Sequence, residues 1–250
     1  VAYNASIIPV KVFKDDATGV SGINLGIDYA TDNGAIALNN SWGTSRSVSA
    51  TCGGVNCYVV VPHESSTGSF TSAERTSWAG VATDNNVVVF AAGNDGMNSA
   101  NGQVKAYRSS NDAYLTSYDA QVVVDALAAV SYVNRSSPEA RYGVNASAVE
   151  DNWLNVVAVD SSNTIATFSN GCGDTKAYCI AAPGVDINST LPTDLDSDGF
   201  GEKDGTSMAA PHVAAAVAVL KHEYPNLTGA EIVELLLDNT TDLGASGTDD

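Results

Sequence analysis

Asp204-Gly-Thr-Ser-Met-Ala-Ala-Pro-His-Val213 sets one serine at the mouth of an alanine-rich helix. Gly205 lets the backbone turn sharply, Pro211 is tolerated in a first helical turn, and Val213, Val217 and Leu220 keep helical spacing. Ser207 therefore falls at a helix N-terminus, where unpaired N–H groups and the helix dipole favour negative charge. That setting suits a serine that attacks a carbonyl and must stabilise an oxyanion, so Ser207 is read as a nucleophile. The competing reading is a buried helix with an incidental N-cap serine, which Gly-Thr-Ser alone would favour but the whole run does not.

The run resembles the nucleophile signature of the subtilisin-like serine proteases, and four further segments agree with that family in order and approximate spacing. Val1-Ala-Tyr-Asn-Ala-Ser-Ile-Ile-Pro-Val-Lys-Val-Phe13 is similar to the strand after the family's catalytic histidine helix. Ala37-Leu-Asn-Asn-Ser-Trp-Gly43 is similar to one side of the substrate groove, and Val87-Val-Val-Phe-Ala-Ala-Gly-Asn-Asp95 to the segment ending in the oxyanion-hole asparagine, here Asn94. Ala166-Thr-Phe-Ser-Asn170, Ala181-Ala-Pro-Gly184 and Ser189-Thr-Leu-Pro192 resemble the approach to the nucleophile. The resemblance implies an α/β, three-layer fold, a mostly parallel sheet with helices on both faces. It also implies a substrate pocket with Ser41, Trp42 and Gly43 on one side and Ala91, Ala92 and Gly93 on the other. Trp42 reads equally as a pocket wall or a core residue.

A serine triad needs a base and a carboxylate to orient it. The family carries these in Asp-Ser/Thr-Gly and His-Gly-Thr motifs upstream of the segment that opens this sequence, and no such motif occurs here. His212 follows Ser207 by five residues, about 140° around a helix that turns roughly 100° per residue, and so faces away. His222 falls near the end of the same helix and His63 in an apparent insertion. The resemblance thus implies an incomplete peptidase domain over residues 1–250, truncated at both ends and inactive by itself. It also implies a missing strand between Ile7–Phe13 and Ala35–Leu38, whose loss would leave two sheet edges unsatisfied and the chain unstable.

The 250 residues fit one large α/β domain, and 44% hydrophobic residues supply its core. With 11 basic and 29 acidic side chains the formal charge is −18, which argues against nucleic acid or an anionic membrane as partner. Four cysteines fall in two local pairs, Cys52 with Cys57 and Cys172 with Cys179, read as small disulfide loops each adding roughly 2 kcal/mol by loop entropy. A zinc site is the weaker alternative, since neither pair has the two-residue spacing of a zinc knuckle. Disulfides imply an oxidising compartment, secreted or at the cell surface. The Cys172–Cys179 pair also resembles that of bacterial surface or autotransporter members of the family. Ala214–Leu220, the longest apolar helical run, is too short to cross a bilayer, so no membrane insertion by this segment is expected.

Strands are expected at Ile7–Phe13, Ala35–Leu38, Val87–Ala91, Asn155–Val159 and Tyr178–Ala181. Helices are expected at Ser21–Asp32, Thr71–Asn85, Thr206–Glu223 and Thr228–Asn239, the last begun by the capping run Thr228-Gly-Ala-Glu231. Thr44–Phe70 and Met97–Asp151 read as insertions, the second without an assignable structure. Asp194-Leu-Asp-Ser-Asp-Gly-Phe-Gly-Glu202 begins like an EF-hand loop, but Gly205 stands where the final glutamate belongs. It reads as a solvated acidic turn, with structural calcium as the minor alternative, and no cofactor is required. The leading functional expectation is a serine endopeptidase acting on protein or peptide substrates through Ser207 and Asn94. Its rival is a non-catalytic protease-like module that holds peptides. An α/β-hydrolase elbow is weaker, because Ala209 replaces its second glycine. A dinucleotide-binding loop is weaker again, because Gly199-Phe-Gly201 is followed by Gly205 rather than by a glycine at 204.

Overall fold

The computed structural model describes residues 2–12, 22–42, 45–52, 55–62, 72–94, 105–108 and 150–243. Four strands form the central sheet: β1 (Ala37–Asn40), β4 (Val87–Ala91), β6 (Trp153–Val159) and β7 (Cys179–Pro183), in the order β1-β4-β6-β7 and all parallel. β4 is apolar throughout and β6 apolar except for Asn155, whose Nδ2 donates to Thr175 Oγ1 at 2.6 Å, because both faces of a parallel sheet are covered, and every residue of β6 is buried. Alternation sorts their side chains. Val87, Val89, Leu154, Val156 and Ala158 face helices α3 (Thr206–Glu223) and α4 (Gly229–Asp238). Val88, Phe90 and Trp153 face α1 (Ile23–Asp32) and α2 (Ser72–Thr83). Helices therefore cover both faces, as the sequence implied.

The second core is aromatic. Phe90 stacks on Trp153 at 5.3 Å between ring centroids, and Trp78 tilts against both. Trp42 meets the edge of Phe90 at 5.5 Å, and its Nε1 donates to Asn40 Oδ1 at 3.2 Å. This side chain is thus drawn toward the core.

Several expected boundaries move. Residues 5–12 carry no strand, because a strand needs a hydrogen-bonded neighbour and none lies alongside among the described residues. Ile7 stays exposed while Val10 packs on the aromatic core; Phe13 lies outside the described residues. β1 begins and ends two residues later than expected, since pairing with β4 carries extended backbone through Asn39 and Asn40. Likewise Tyr178 closes a 3-10 turn (Gly173–Tyr178), and β7 runs two residues further, to Pro183.

Both insertions contribute to one small antiparallel sheet, β2 (Ser45–Cys52), β3 (Val55–Pro62) and β5 (Lys105–Arg108), in the order β2-β3-β5. In its register Cys57 lies opposite Ala50 and Cys52 opposite Val55. The Cys52–Cys57 disulfide concerns side chains outside the described residues, as do Val122–Val130 and His63. Cys172–Cys179 is a disulfide and closes the 3-10 turn that leads into β7.

β8 (Ile187–Thr190) and β9 (Phe200–Lys203) form a hairpin around the acidic loop. There the Asp196 carboxylate accepts from Asp198 N–H at 3.3 Å and that of Asp198 from Phe200 N–H at 2.9 Å. Among the described residues no group of three or more His, Cys, Asp or Glu converges on a metal position. None of the described helices is long and apolar enough to cross a membrane.

Candidate active site

Parallel strands deliver their C-terminal ends to one edge, where open α/β sheets carry their chemistry. Ser41 follows β1, Ala92 to Asn94 follow β4, and α3 begins at that edge with Thr206. Ser207 is half-buried in the first turn of α3, and its Oγ donates to the Ser41 carbonyl at 3.2 Å. In return, Ser41 Oγ donates to the Ser207 carbonyl at 2.9 Å.

The first N–H groups of a helix have no intrahelical acceptors. That of Thr206 donates to Asn94 Oδ1 at 2.8 Å, and those of Met208 and Ala209 reach the Gly205 carbonyl. The N–H of Ser207 is the donor left over, beside its own hydroxyl. Because Asn94 Oδ1 must accept from the Thr206 N–H, its amide can point only one way, which fixes the position of Nδ2. The Thr206 hydroxyl also donates to Asn94 Oδ1, at 2.9 Å, while accepting from Gly93 N–H at 3.1 Å. Thr206 is wholly buried and so clamps the end of β4 to the start of α3.

Gly205 explains how the donors converge. Its φ of 153° disfavours any side chain, and a Cβ there would sit 3.3 Å from Asn94 Nδ2 and 3.6 Å from Ser207 N. Asn94 Nδ2 and Ser207 N thus border the space that a side chain on Gly205 would fill, with Met208 Sδ beside them at 3.4 Å from that Cβ position. Gly184 supports the same turn. Its carbonyl accepts from Gly205 N–H at 2.8 Å, and a Cβ on Gly184 would strike Ala158 Cβ at 2.6 Å.

The structure brings Ser207, Asn94 and Ser41 together and puts Ala91 and Ala92 on the neighbouring strand end; Gly43 lies outside the described residues. Ala92 and Gly93 do not offer free donors for pairing with a peptide, because Ala92 N–H donates to Val156 O and Gly93 N–H to Thr206. Asn170 further holds both carbonyls, through Nδ2 on Ala92 and N–H on Gly93. These residues form a wall, braced by Thr206 and Asn170, two positions whose roles the sequence did not reveal. His212 is turned away as expected, with Nδ1 against the Met208 carbonyl at 2.8 Å, and His222 lies in the last turn of α3.

The family model described as the subtilase family matches residues 1–250. Subtilisin DY of Bacillus licheniformis is 27% identical over 247 residues, 98% of this chain and 65% of that protein. An extracellular serine protease of Serratia marcescens is 34% identical over 140 residues, 48% of this chain and 13% of that protein. The chain therefore spans less than two thirds of the curated relatives it matches. Among solved structures, the patellamide maturation protease PatA superposes with a TM-score of 0.59 at 20% identity, covering 95% of this chain and 65% of that one. A protease from Pseudoalteromonas arctica gives 0.59 at 25% identity, over 99% and 60%.

Proposed function

The chain belongs to the subtilase family, and from that premise we propose that it carries the nucleophile and oxyanion site of a serine endopeptidase. The observation that supports this best is the approach of Asn94 Nδ2 and the Ser207 N–H to the same side of Gly205, at the start of the helix that carries the Ser207 hydroxyl. Ser207 Oγ adds to the carbonyl carbon of a protein or peptide substrate as its proton passes to a base. The carbonyl electrons move onto oxygen, where the two donors hold the charge. Collapse breaks the C–N bond, the amine leaves with the proton from the base, and the acyl group remains on Oγ. Water then adds to the acyl carbon, gives its proton to the same base, and releases the acid and Ser207.

The resting partner of the Ser207 proton is the Ser41 carbonyl, far too weak a base to take it. The base is a histidine, oriented by an aspartate, and both come from outside the described residues. Secretion is part of this proposal, since it suits the Cys172–Cys179 disulfide and the extracellular relative. No cofactor takes part, and the acidic hairpin loop is a solvated turn.

A second reading, a peptide-holding module without turnover, draws on that same unbased serine. The full-length gene product and its Ser207→Ala variant separate the two when incubated with an unfolded polypeptide. Cleavage by the serine form alone is expected. Retention of the polypeptide without cleavage by either form would establish the second reading.

A further inference from the structure

Pro211 stands four residues after Ser207 and has no N–H, so the helix cannot supply the usual donor to the Ser207 carbonyl. That carbonyl is instead met by the Ser41 hydroxyl at 2.9 Å, across 166 positions of sequence. We propose that Ser41 is a positioning residue whose hydroxyl replaces the helical bond lost at Pro211 and so fixes the peptide unit on which Ser207 is mounted. This rests on the reading of Ser207 as nucleophile.

The peptide unit linking Ser207 to Met208 is held at both ends. Its N–H donates to the Gly205 carbonyl at 3.0 Å and its oxygen accepts from Ser41. The hydroxyl of Ser41 has a single proton, and its direction is set from behind, because Asn39 Nδ2 donates to Ser41 Oγ at 3.0 Å. With that lone pair occupied, the proton is left for Ser207. The relay Asn39–Ser41–Ser207 ties the end of β1 to the nucleophile turn. In an uninterrupted helix the same carbonyl would be held from within, and Ser41 would be dispensable. Pro211 thus moves control of the nucleophile's backbone from the helix to the strand beside it.

Ser41 touches no reacting atom through its hydroxyl, so its loss should lower kcat and leave KM nearly unchanged. The full-length gene product is treated with a fluorophosphonate, and the labelling rate of Ser207 is compared with that of Ser41→Ala, Ser41→Thr, Pro211→Ala and Ser41→Ala/Pro211→Ala. One neutral hydrogen bond corresponds to roughly a threefold to tenfold slower labelling of Ser41→Ala. Ser41→Thr keeps a hydroxyl and should retain the rate. The double variant should recover it, because replacing Pro211 by alanine restores a backbone N–H that can bond the Ser207 carbonyl from within the helix. Asn39 is exposed, so Asn39→Ala leaves folding undisturbed and should slow labelling about twofold. Equal rates for Ser41→Ala and the parent, or a loss that neither Ser41→Thr nor the Pro211→Ala background restores, would overturn the inference while leaving the nucleophile intact. If Ser41→Ala does not fold, an unchanged rate in Asn39→Ala overturns it. A folded parent that is never labelled overturns both this inference and the nucleophile reading.

Discussion

Asn94 shows how one side chain serves two neighbours. Its oxygen accepts from both the N–H and the hydroxyl of Thr206, which fixes the orientation of the amide and so the position of Nδ2. Such preorganisation is what makes a donor count in a transition state, and Asn94→Ala should lower kcat about a hundred- to a thousandfold with little change in KM. Steady-state peptide hydrolysis by the full-length gene product measures this. Thr206→Val keeps the shape but strands the Gly93 N–H and half of the Asn94 cap in a buried place, a loss of about 1–3 kcal/mol. Chemical denaturation of the two proteins would read it. That the Ser207 run and the segment ending in Asn94 meet at one sheet edge was legible, because both are recognisable motifs in the sequence. Thr206 sits in the same run, yet its role was not, because both its partners lie more than a hundred residues away. Asn39 and Asn170 lie within segments that resemble the family, but their individual bonds, to Ser41 and to Ala92, were not readable until the partners were seen.

Elements followed the sequence where local and tertiary preferences agree. α4 begins with the capping box read from Thr228-Gly-Ala-Glu231: Thr228 N–H donates to Glu231 at 2.7 Å and Glu231 N–H to the Thr228 hydroxyl at 3.2 Å. The Glu231 carboxyl is held below its ordinary value, chiefly by the Thr228 backbone N–H and then by its hydroxyl. A folded pKa below the unfolded one means that this support is complete above the unfolded value and is lost as pH falls through the folded one. Comparing the melting temperatures of the parent and Glu231→Gln should show a gap near neutrality that closes in acid. Thr228→Ala removes the cap itself and should cost about 1 kcal/mol at neutral pH in the same assay. Residues 5–12 failed to form the expected strand for the complementary reason. Their apolar pattern is strand-like, but a ladder needs a hydrogen-bonded neighbour and none lies alongside among the described residues. The pairing of β3 with β5 was missed because it joins two separate insertions, a contact no local pattern encodes, while β2 and β3 are sequence neighbours whose hairpin spacing went unread.

At the scale of the whole molecule, the parallel sheet does one thing for function: it carries the ends of β1 and β4 to the same edge as the start of α3. Layering was legible because β4 and, apart from Asn155, β6 are apolar while the helices around them are one-sided. Charge was legible too, and the acidic hairpin loop is its densest expression. With its Asp196 and Asp198 carboxylates each accepting a backbone N–H, calcium added to a metal-free preparation of the full-length gene product should leave the melting temperature unchanged. The base was not legible: His212 bonds the Met208 carbonyl and His222 lies at the far end of α3. Everything functional then turns on whether Ser207 is activated. The most direct measurement is to treat the full-length gene product with a fluorophosphonate and locate the adduct by peptide mass spectrometry. An adduct on Ser207 that is absent from a folded Ser207→Ala variant is the predicted result, and a folded parent carrying no adduct at Ser207 would contradict the account.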